Sequence, residues 1–73
     1  MSVYGHVLFY TSAAAFRAEG LVKHSAVSGA RLVPTPRELS SDCGVALRFQ
    51  VEDRGRIQSL LDESRVPYDR IEA

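Results

Sequence analysis

Across 73 residues there is a single cysteine, Cys43. That scarcity excludes an internal disulfide framework, so nothing in the composition points to an oxidising, extracellular setting. Nine basic residues are matched by nine acidic ones, for a formal net charge of zero. A nucleic-acid binder that works by neutralising phosphates carries an excess of Lys and Arg, so that class is set aside. No apolar run approaches the ~20 residues of a membrane span, and the N-terminus lacks a basic stretch followed by an apolar core. Glycine-rich phosphate loops and dinucleotide fingerprints are missing as well. One cysteine and two separated histidines, His6 and His24, fall short of the usual four-ligand set, so neither a metal nor a cofactor is expected. The reading is a cytoplasmic protein of one small domain, residues 1–73, a size that buries roughly 60% of its unfolded surface.

What is present is a regular alternation of element signals. Val3 to Tyr10 is rich in Val, Tyr and Phe and reads as a buried strand. Thr11 and Ser12 offer an N-cap ahead of Ala13-Ala14-Ala15, and a helical wheel gathers Ala14, Ala15, Ala18, Leu21 and Val22 on one face. Phe16 falls on the polar side of that wheel, as a second contact point or a residue packed under the last strand. Ala30 to Val33 reads as a short strand stopped by Pro34 and Pro36. Further on, Val45, Leu47, Phe49 and Val51 alternate with Ala46, Arg48 and Gln50, the pattern of a half-buried strand. Glu52 or Asp53 then caps a helix whose apolar stripe is Ile57, Leu60 and Leu61, with Gly55 weakening its first turn. Pro67 ends it, and Tyr68 to Ile71 adds an edge strand. The order βαββαβ predicts an α+β, ferredoxin-like two-layer sandwich: a four-stranded antiparallel sheet in the order 4-1-3-2, with two helices on one face.

The cysteine lies in Pro36-Arg37-Glu38-Leu39-Ser40-Ser41-Asp42-Cys43-Gly44. Cysteine is among the most buried residue types, so a thiol in a Ser/Asp/Gly loop is either incidental or placed for its sulfur chemistry. The predicted topology puts this loop near the Thr11-Ser12-Ala13 helix start. A helix N-terminus favours an anion by ~0.3–1 kcal/mol, and by ~2 when partly buried, enough at the upper end to draw a thiol pKa from ~8.5 to roughly 7–8. Arg37 and the Ser41 and Gly44 amides act in the same direction, and Asp42 against it. A protease-type Cys-His pair is disfavoured, because His6 lies roughly 13 Å from the loop-side strand end at ~3.3 Å per residue. Tyr4, His6, Leu8 and Tyr10 are expected on the sheet face without helices, alongside Ala46 and Arg48. So much aromatic surface there suits self-association, a homodimer contact.

The run Pro-Arg-x-x-Ser-Ser-x-Cys-Gly-x-x-Leu-Arg-Phe, from Pro36 to Phe49, together with Phe9-Tyr10-Thr11-Ser12 ahead of a helix containing Ala15 and Glu19, resembles a small bacterial and archaeal family named for a selenium/sulfur carrier-like role. The resemblance spans about residues 4 to 72. It implies that Cys43 holds a chalcogen as a persulfide or selenosulfide, a carrier rather than a catalyst, served by donor and acceptor proteins. Arg37 and the Thr11-Ser12 helix start would then stabilise the anion, Ser40, Ser41 and Gly44 would shape the loop, and Arg48 would anchor an incoming anion or donor. Two other readings stay open on the residues alone. One is an interaction module docking through the open sheet face, and the other a redox switch bridging two copies through Cys43.

Overall fold

The computed structural model describes residues 3–25, 27, 29–39 and 44–73. Its elements are strand β1 (Tyr4–Leu8), helix α1 (Ser12–Lys23), strand β2 (Arg31–Pro34), strand β3 (Val45–Gln50), a 3-10 turn (Val51–Asp53), helix α2 (Arg54–Glu63) and strand β4 (Arg70–Glu72). The sheet order is β2-β3-β1-β4, and every neighbouring pair is antiparallel. That is the expected ferredoxin-like arrangement.

Which face each strand residue takes follows from the register. Gly5, Val7 and Phe9 point toward the helices, as do Leu47 and Phe49, paired with Val7 and Gly5. From α1, Ala14, Ala15, Ala18 and Val22 are buried against them, the face that the wheel selects, with Leu21 half-buried. Ile57 and Leu61 supply the α2 side, with Leu60 partly buried. Both helices therefore share one side of the sheet.

Several boundaries differ from the sequence reading. Val3, Phe9 and Tyr10 lie outside β1, whose ladder with β3 runs from Tyr4 to Leu8. Pro34 is the last residue of β2, opposite Val45, rather than its stop. An edge strand tolerates a residue with no N–H to donate. Val51 belongs to the 3-10 turn, and the last strand begins at Arg70 instead of Tyr68. Phe16 is exposed, at 60%, rather than buried under the last strand.

The helix ends show why α1 is the better determined. Thr11 is its N-cap, extended at φ −139° and ψ 154°, and its Oγ1 accepts a hydrogen bond from the Ala14 N–H at 3.2 Å. The carboxylate cap expected for α2 is not made. Asp53 occupies the N-cap position without a side-chain cap bond, because the preceding 3-10 turn has already taken the backbone out of the extended form that a cap needs. At the other end of α2, Val66 N–H bonds to Leu61 C=O and Arg65 N–H to Asp62 C=O. This is the paired bonding of a Schellman turn, with buried Val66 supplying its apolar contact. Arg17 adds a tie from α1, donating from Nη2 to the Ser64 carbonyl at 2.9 Å.

Arg65 stands where such a turn wants glycine, at φ 56°. A side chain in left-handed backbone costs roughly 1–2 kcal/mol, part of which glycine returns as extra freedom in the unfolded chain. Arg65→Gly should therefore stabilise the fold by about 0.5–1 kcal/mol. Chemical denaturation would show it as a higher midpoint, and an unchanged or lower midpoint would count against the assignment.

Candidate functional site

Strands β1 and β2 both run antiparallel to β3, so they point the same way. Their C-terminal ends, the start of α1 and the start of β3 accordingly meet at one end of the sheet. Thr11 and Ser12 are there, at the N-terminus of α1. Gly44 is there too, one residue before Val45, which pairs with Pro34. The base of the β2–β3 loop is closed by the Thr35 N–H donating to the Gly44 carbonyl at 3.1 Å. Beyond it the chain turns at once, with Leu39 N–H bonded to Pro36 C=O, leaving Arg37 and Glu38 exposed on the turn. Cys43, Ser40, Ser41 and Asp42 lie outside the described residues. Of the residues singled out for this loop, the structure thus brings Thr11, Ser12, Arg37 and Gly44 to one end of the fold. Gly44 is exposed, and a Cβ there would have nothing within 4 Å.

Arg48 is placed elsewhere, in the middle of β3, on the face away from the helices. In register it stands opposite His6 on β1 and opposite Arg31 on β2. Its guanidinium lies over the Tyr4 ring, 4.5 Å from the centroid, an attraction worth about 0.5–1 kcal/mol. Burial first, and then the Arg48 charge, hold the His6 imidazole below its ordinary pKa, while Glu38 pulls the other way. Glu38, exposed on the Pro36–Leu39 turn, is thus a charge of the β2–β3 loop that acts on His6.

The open face also departs from expectation in its centre. Leu8 and Ala46, directly opposite each other, have no exposed surface although they face away from the helices. Among the described residues the exposed large apolar side chains are Val3, Tyr4 and Tyr10, together with Phe16 on α1. Beside Leu8 on β4, Arg70 donates from Nε to Glu72 at 2.7 Å and from Nη1 to Asp69 at 2.9 Å. Arg31 carried no signal of its own in the sequence, since its position opposite Arg48 depends on the β2–β3 register. Among the described residues no group of His, Cys, Asp and Glu has the makings of a metal site, and no helix is long and apolar enough to cross a membrane.

A family described as "Putative Se/S carrier protein-like" matches residues 4–72. No match was found among curated proteins or among solved structures.

Proposed function

We infer the role of this chain from its membership: it belongs to the Se/S carrier protein-like family over residues 4–72. Its function is to carry sulfur or selenium on the thiol of Cys43, as a persulfide or selenosulfide, without catalysing a reaction of its own. The observation that supports this is the position of Gly44. The residue next to Cys43 lies at the sheet end where α1 begins, where the helix dipole favours an anion.

Loading is an exchange in which the electrons balance. The Cys43 thiolate attacks the outer chalcogen of a donor protein's persulfide or selenosulfide. A new S–S or S–Se bond forms on Cys43, the donor's own bond breaks, and the donor leaves as a thiolate. Arg37, Thr11 and Ser12 stabilise the charge, Ser40, Ser41 and Gly44 set the loop, and an acceptor protein takes the chalcogen by the same step in reverse. Such partners meet Tyr10 first, 57% exposed and adjacent to the Thr11 cap. Persulfides last where disulfides are not enforced, which suits a cytoplasmic setting.

Intact mass after incubation with a cysteine desulfurase and cysteine, or with a selenosulfide donor, tests this reading. The wild type should gain one sulfur or one selenium, lose it on reduction, and show no gain as Cys43→Ser. A wild-type mass that never changes with either donor would overturn it.

A further inference from the structure

We propose that the open face of the sheet carries a binding site for a small inorganic oxyanion, held by Arg48 and Arg31 with His6 beside them. The register places these three side chains in one row across β2, β3 and β1, each directly opposite the next on the same face. Opposed residues in antiparallel strands have Cβ atoms about 4.5–5.5 Å apart, and like charges so placed destabilise a sheet. Two facing arginines therefore work against the fold unless an anion lies between them.

The state of Arg48 points the same way. Its Nε is buried, and among the described residues it has no hydrogen-bond partner. A desolvated donor left unsatisfied is costly, and a guanidinium offers its Nε–H and a terminal N–H as a planar fork that matches two oxygens of one anion. The Tyr4 ring lies under the guanidinium carbon and restrains its position. The carboxylates nearby do not fill it. Glu72, opposite His6 on β4, is bonded to Arg70, as is Asp69, and neither Arg31 nor Arg48 forms an ion pair among the described residues. Glu38 reaches His6 through its charge but is itself exposed. Its two arginines make the row cationic, with the Arg48 guanidinium donors at its centre, which suits a tetrahedral or pyramidal oxyanion.

The site uses no sulfur atom, so it stands or falls independently of the carrier reading, and Cys43→Ser should retain it. The test is an NMR titration of the full chain with sodium sulfate and, separately, sodium selenite, each against sodium chloride at matched ionic strength. Saturable shifts are expected at the Arg48 Nε–H and at the amides of residues 6, 31 and 48, in both wild type and Cys43→Ser. Arg48→Lys keeps the charge but loses the fork, and should bind about tenfold to a hundredfold more weakly. Arg31→Gln, on the exposed edge strand, should weaken binding severalfold while leaving thermal unfolding near wild type, and it decides the matter should Arg48→Lys fail to fold. Shifts that do not saturate or that chloride reproduces would overturn the site, as would affinity untouched by Arg31→Gln.

Discussion

Gly5→Ala should lower the unfolding midpoint well below that of the wild type, and Gly5→Val should leave little folded protein. Gly5 sits inside β1 opposite Phe49, on the face that packs against the helices. A Cβ added there would stand 2.7 Å from Phe49 Cζ and 3.0 Å from both the Glu72 carbonyl oxygen and the Ala73 Cβ. The Phe49 ring has no exposed surface and is enclosed by the core, so it has nowhere to swing. Overpacking of this kind costs typically about 1–3 kcal/mol for one methyl, more for a branched side chain. Against that, alanine gains only about 0.5–1 kcal/mol over glycine in a strand, so the clash wins. At about 0.05–0.15 kcal/mol per residue, a chain of this length has only about 4–11 kcal/mol in total, of which Val would consume a large share. Phe49→Leu removes Cζ, so Gly5→Ala should cost less in that background than in the wild type. A double-mutant cycle in urea would measure the difference. Equal costs in both backgrounds would show that the ring is not what Gly5 makes room for.

How much of this was legible in advance depends on the range of the interaction. The apolar face of α1 and the Thr11 cap are local, and each stands in the structure as read, while the alternation along β3 holds except at Ala46, which is buried, and Val51, which leaves the strand. The element order then limited the topology to the one observed. Register is not local. Nothing in the sequence around Gly5 sets it apart within its strand, and only its pairing with Phe49 shows why no larger residue fits. Likewise Arg31 acquires meaning only opposite Arg48. The Asp53 cap failed because a 3-10 turn intervened, a choice of backbone that carboxylate placement does not reveal. In the site, Thr11, Ser12, Arg37 and Gly44 were placed together by topology alone. The burial of Leu8 and Ala46 was hidden, because period-2 alternation marks the side without helices as wet.

That burial changes what Leu8→Glu should do. On an exposed docking face this substitution would leave the fold intact and remove self-association only. In the structure Leu8 is fully buried against Ala46, so a carboxylate there loses its water with no donor built to receive it. The nearest compensation is Arg70, opposite Leu8 on β4, but its guanidinium is already committed to Glu72 and Asp69. A partly exposed pair of that kind returns at most about 0.2–1 kcal/mol. Burying the unpaired charge is among the few single changes that cost more than about 4–5 kcal/mol, a large share or all of the about 4–11 kcal/mol that this chain has. Leu8→Glu should therefore be largely unfolded by far-ultraviolet circular dichroism, whatever its sedimentation. Tyr10→Ser, at an exposed position outside the ladder, should fold within about 0.5 kcal/mol of wild type. It is the variant that interrogates docking without touching the core. A Leu8→Glu protein with wild-type stability would mean that this face opens to solvent after all, and would restore the open sheet as a docking surface.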